Sequence, residues 1–169
     1  MKLYCTLLSL LLSTLVAADS LSFFGGSQRI LDGNLVIPGD SPMEHCRPSF
    51  EDDILTIERI DLTPNPPVPG QTLLIEARGT LSEEVLEGAY VNLQVKYGLI
   101  RLVNTRADLC EQIKNVDMEC PLKEGDAVMK KEVDIPKEIP PGQYTVLADV
   151  FTADNKAITC LTAQISFGV

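Results

Sequence analysis

The chain has no tryptophan, a single histidine and only 5% aromatic residues in 169. Its cations are also outnumbered, with 14 Lys and Arg against 24 Asp and Glu and a formal net charge of −10. A phosphate backbone is gripped by Lys and Arg, often beside stacking aromatics, so nucleic acid is excluded as a partner. Machinery for covalent chemistry is equally sparse. There is no GxSxG elbow, no CxxC pair and no glycine-rich phosphate loop. His45, beside Cys46, is the only imidazole, too few for a zinc site or for a nucleophile with its base. Glu51-Asp52-Asp53 and Glu83-Glu84 lack the spaced oxygen ligands and turn glycine of a calcium loop, and read as solvated carboxylates. No catalytic residue, metal ligand or cofactor is assigned, and the chain does not read as an enzyme. Asn-x-Ser/Thr sequons are missing too, so N-glycosylation is not expected.

What is present begins with a secretory signal. Lys2 forms a short positive region, Leu7 to Val16 an apolar stretch, and Val16-Ala17-Ala18 a small-residue cleavage site before Asp19. The apolar stretch falls well short of the roughly 20 residues that span a bilayer, and nothing later is longer. Residues 1–18 are expected to be removed, leaving 151 residues, one domain by size. Loss of Lys2 takes the charge to −11. The expected destination is the secretory pathway, either the vacuole lumen or the outside of the cell.

Cys5 leaves with the signal. Cys46, Cys110, Cys120 and Cys160 remain, an even number in an oxidising compartment, and are expected to form two disulfides. Three pairings are possible. The short Cys110–Cys120 loop favours a local bridge, which leaves Cys46 to reach Cys160.

Residues 19–43, with Phe23-Phe24-Gly25-Gly26, Pro38-Gly39 and Ser41-Pro42, show no sustained periodicity and read as an extended arm or pro-segment. The folded module is placed at 44–169. From Ile54 onwards the pattern has period two, clearest where Ala89, Val91, Leu93, Val95 and Tyr97 alternate with Tyr90, Asn92, Gln94 and Lys96. A second such set, Met129, Lys131, Val133 and Ile135, precedes Pro136, and a third runs Tyr144, Val146, Ala148 and Val150. Pro64 to Gly70 must be a turn, Asp154-Asn155 a tight hairpin, and no useful helical stripe appears. Six or seven short strands punctuated by Pro and Gly predict an all-β, two-sheet sandwich.

The order "ADLC", "DMECPLKEGD", a proline-rich turn, and a last-strand Cys160 followed by "LTAQISF" resembles the ML-domain lipid-recognition family. Within it, the signal and the arm before "HCRP" are most similar to the fungal phosphatidylglycerol/phosphatidylinositol transfer proteins, in the group that includes the Niemann–Pick type C sterol carrier. The resemblance covers residues 44–169 and implies a seven-stranded immunoglobulin-like sandwich with an internal apolar slot for lipid. It implies the same two disulfides. Sterol-carrying relatives have a further cysteine pair near the domain start, where this chain has only Cys46.

By that resemblance the function is intermembrane transfer of phosphatidylglycerol and phosphatidylinositol by a monomer in transient contact with membranes. The alternatives are a sterol carrier on the same fold and a non-enzymatic extracellular recognition module with a filled core. Tyr97, Ile100, Leu102 and Val103 on one side, and Ile135, Pro136 and Ile139 on the other, are the expected mouth. Val95, Met129, Val133, Val146 and Val150 are candidates for the slot wall, and Arg101 and Lys137 for the headgroup.

Overall fold

The computed structural model describes residues 35–168, so the signal and residues 19–34 of the arm lie outside the described residues. Eight strands form: β1 (Met43–His45), β2 (Leu55–Thr63), β3 (Thr72–Leu81), β4 (Tyr90–Tyr97), β5 (Ile100–Asp108), β6 (Gly125–Asp134), β7 (Gly142–Phe151) and β8 (Ala157–Phe167). One five-residue helix, α1 (Leu109–Ile113), and a 3-10 turn (Lys114–Val116) follow β5. All pairings are antiparallel, in a five-stranded sheet ordered β1-β8-β7-β4-β5 and a three-stranded sheet ordered β2-β3-β6. The expected all-β, immunoglobulin-like sandwich is present, with eight strands.

Alternation did not reveal two of the eight strands, β1 and β5. β5 is an edge strand whose residues Ile100 to Arg106 are all exposed, so no periodic burial marks it. In β2 the alternation breaks for another reason. The register shifts between Ile57 and Arg59, and this bulge turns Ile60 and Leu62 inward with Leu55 and Ile57. Pro64 to Gly70 is the expected turn, with Thr63–Pro64 and Asn65–Pro66 both cis. Asn155, at φ 68°, lies in the predicted turn before β8.

The folded module begins earlier than Glu44. Ile37 is 1% exposed and belongs to the core, and Ile37 N–H and His45 N–H donate to Met43 O and Leu35 O. Residues 35–43 therefore form a small hairpin with β1 and are no free arm. A hairpin built on Pro38 and Gly39 has too few strand residues to show a period. The hairpin also joins the two sheets: Ile60 and Leu62 of β2 donate to Pro38 O and Asp40 O, at 2.9 Å each, while β1 pairs with β8. Cys46–Cys160 closes the same edge, and Cys110–Cys120 staples the helical loop, both as expected.

His45 is 7% exposed, stacks face to face on Phe50 at 3.9 Å, and leaves its buried Nδ1 without a partner. Burial holds its pKa below the ordinary 6.5; Asp53 opposes that shift and Arg47 adds to it. Arg47 is anchored alongside, bridging Asp53 at 3.0 Å and Asp149 at 2.9 Å.

Two outcomes test this edge. Gly39 has φ +125°, and a Cβ there would lie 2.0 Å from Ile60 O. Gly39→Ala should cost about 1–3 kcal/mol for the backbone conformation alone, with more from the displaced β2 contact, measured by urea unfolding. For His45, an unfolded chain takes up a proton below pH 6.5 more readily than the folded one, so stability falls from there towards the lower folded pKa. Between pH 7.5 and 5.5 the wild type should lose more stability than His45→Phe; equal losses would show that the imidazole is not the titrating group.

Candidate functional site

The inward side of each strand follows from register. β2 contributes Leu55, Ile57, Ile60 and Leu62; β3 places Leu73, Ile75, Ala77, Gly79 and Leu81 beside them; β6 adds Ala127, Met129, Lys131 and Val133. In the larger sheet, Val91, Leu93, Val95 and Tyr97 of β4 stand level with Val150, Ala148, Val146 and Tyr144 of β7. These faces do not pack into one core. One buried cluster gathers Ile54, Leu81, Val85, Ala89, Val150 and Ile158 near α1. The other gathers Ile37, Ile60, Leu62 and Leu73 beneath the N-terminal hairpin.

Between them lies a cavity of about 260 Å³. Leu55, Ile57, Ile75, Ala77, Ala127 and Met129 line it from the smaller sheet, and Val150, Ile158 and Leu161 from the larger. Leu109, Ile113, Met118 and Leu122 cover the end nearest α1. That cover is set locally. The Asp108 side chain accepts from Glu111 N–H at 3.0 Å and caps α1, placing Leu109 and Ile113 one turn apart on a single face. Leu122 exchanges backbone hydrogen bonds with Val85, and Cys110–Cys120 ties the two ends of the loop together. Small residues at Ala77, Gly79 and Ala127 leave the space open. Arg78 is the one charged residue beside the cavity, and its register opposite Val128 belongs to the outer face.

Of the residues expected from sequence to contact lipid, Met129 and Val150 line this cavity. Val95 and Val146 are half-buried register partners on the inner face, outside both buried clusters. Val133, 38% exposed, is on the inner face of β6 nearer its far end. Ile135 packs against the second cluster, Ile139 is half-buried and Pro136 is exposed.

Tyr97 belongs to an aromatic group with Tyr144 at 5.1 Å, which in turn meets Phe167 at 5.6 Å. The Tyr97 hydroxyl donates to Pro141 O and that of Tyr144 to Pro140 O, holding this end of the sandwich. Ile100, Leu102 and Val103 are exposed on β5, beside the fully exposed Leu99. Arg101 shares a register pair with Lys96, on the side opposite Val95 and Val103. Lys137 lies over Gly70. The cavity wall and the expected mouth thus occupy opposite halves of the sandwich. The α1 wall was missed because Leu109 and Ile113 make only one helical turn; the Asp108 cap and their i, i+4 spacing were the available signals.

A model of the ML domain matches residues 40–167. A phosphatidylglycerol/phosphatidylinositol transfer protein of Pyricularia oryzae is 59% identical over 137 residues, covering 81% of this chain and 77% of that protein. One of the same name from Neurospora crassa is 55% identical over 160 residues, covering 94% and 89%. Among solved structures, a Niemann-Pick type C2 protein from Japanese carpenter ant has a TM-score of 0.52 at 16% identity, covering 74% of this chain and 98% of that one. Chicken MD-1, complexed with lipid IVa, has a TM-score of 0.50 at 20% identity, covering 75% and 88%. These two speak for the fold alone. The family match spans almost all of the described sandwich and agrees with its two sheets and two staples, and the chain belongs to the ML-domain family.

Proposed function

We propose that this protein carries phosphatidylglycerol and phosphatidylinositol between membranes, with acyl chain held between its sheets. The observation that carries this reading is the largely aliphatic cavity between two separate core clusters. The relatives named above for transfer of these lipids supply the substrate class. A filled recognition module would put side chains where the cavity is. Against the sterol alternative stands the absence of the early cysteine pair, since only Cys46 occupies that region.

No bond needs to be made or broken. Each buried CH₂ is worth about 0.8 kcal/mol in protein or bilayer alike, so acyl chain can exchange at little net cost. An apolar cavity of about 150 Å³ already accepts benzene, and drug-sized ligand pockets start near 300 Å³. At about 260 Å³ the present cavity admits part of one acyl chain, and a whole lipid requires the sheets to part. The β5–β6 side is where this costs least, because each of those strands ends its sheet and no backbone pairing joins them.

Exposed Leu99, Ile100 and Leu102 at the β4–β5 hairpin supply the membrane contact, with Lys96 and Arg101 on the same hairpin to offset the acidic surface. The secretory signal makes the vacuole lumen or the exterior the place of action.

The decisive experiment fills the cavity. Ala127→Phe should abolish transfer of labelled phosphatidylglycerol between vesicles and the copurification of lipid, with the unfolding temperature largely kept. Unimpaired transfer with the phenyl ring in place would remove the cavity from the mechanism. Separately, Leu99→Asp with Ile100→Asp should slow transfer several-fold while lipid already bound stays bound, as read by vesicle flotation and transfer rate.

A further inference from the structure

One formally charged side chain stands among the inward register positions of the described strands. Lys131 of β6 is opposite Ile75, flanked by Met129 opposite Ala77 and Val133 opposite Leu73. Ile75, Ala77 and Met129 all line the cavity. No Asp or Glu shares that face: the inward positions of β2, β3, β4 and β7 are aliphatic, aromatic or glycine. The neighbouring carboxylates point the other way, and Glu76 is already held by Lys130 on the outer face at 3.0 Å. Lys131 is half-buried in an edge strand, with no salt bridge among the described residues.

We infer that Lys131 anchors the anionic headgroup and sets the preference for acidic phospholipids, an inference that rests on the carrier reading above. A lysine stem covers apolar surface while its ammonium reaches water. Here Ile75, opposite Lys131, and Met129, two residues before it on the same face, line the cavity, and Lys131 stands just beyond that lining on β6, which ends its sheet and leaves the ammonium a route to water at the β5–β6 side. A phosphodiester at that rim gains charge-assisted hydrogen bonds. A zwitterionic headgroup brings its own cation close to the ammonium, so the same residue that attracts phosphatidylglycerol disfavours phosphatidylcholine. Arg101 and Lys137 lack this placement, the first on the opposite face of its strand and the second over Gly70.

An inward lysine on an edge strand has one other established use, which is to prevent edge-to-edge pairing of sheets. The two roles separate experimentally. Wild type, Lys131→Met and Lys131→Arg are incubated with vesicles of equal phosphatidylglycerol and phosphatidylcholine, re-isolated, and their bound lipid counted by mass spectrometry. Because both lipids come from one membrane, changes in docking cancel in the ratio. Lys131→Met should lower the phosphatidylglycerol-to-phosphatidylcholine ratio about tenfold, the worth of one charge-assisted hydrogen bond, while Lys131→Arg keeps it. An unchanged ratio in Lys131→Met, with or without new self-association by sedimentation, overturns the headgroup role and leaves the carrier reading standing. A wild type that takes up neither lipid overturns both.

Discussion

The two sheets are fastened along one edge. There the hairpin at residues 35–45 hydrogen-bonds to β2 through Pro38 and Asp40 and pairs with β8 through β1, and Cys46–Cys160 locks the same place covalently. On the other side, β5 and β6 each end a sheet. Everything distinctive about the interior follows from this asymmetry. Side chains pack tightly under the N-terminal hairpin and under the stapled loop, where the chain holds the sheets in position. Between those anchors the aliphatic faces meet incompletely.

Much of this was legible in the chain because the physics that sets it is local. Ala89 to Tyr97 alternates without interruption, and its inward set in the structure is Val91, Leu93, Val95 and Tyr97. Proline runs placed the turns, and the even count of four cysteines after the expected signal carried the two staples. Even Lys131 falls in its alternating set beside Met129 and Val133, and its register is inward. What local pattern could not carry is whatever depends on how far apart two sheets stand. The cavity lies against Ala77, Ala127 and the one-turn face of α1, residues that are unremarkable one at a time. β5 left no signature because an exposed edge has no buried partner to alternate towards. The bulge at Ile57–Arg59 defeated simple alternation in β2 for the same reason, since only the partner strand reveals the register shift.

The cavity has an energetic consequence that ties the staple to the function. The aliphatic walls that line it forgo packing contacts that a filled core would make. The Cys46–Cys160 bridge closes a loop with a sequence separation of 114, which is worth about 5 kcal/mol in the chain-entropy model. A fold whose two sheets meet incompletely has to draw stability from outside the core, and restricting the unfolded chain does so without filling any space. That also explains why the staple is at the fastened edge. A bridge between β5 and β6 would restrict the unfolded chain as well, but it would close the side proposed above for acyl-chain entry. In the carrier reading, an acyl segment in the cavity recovers packing, and departure into a bilayer forfeits it only to regain the same burial there. Uptake and release are therefore nearly balanced, as a carrier requires.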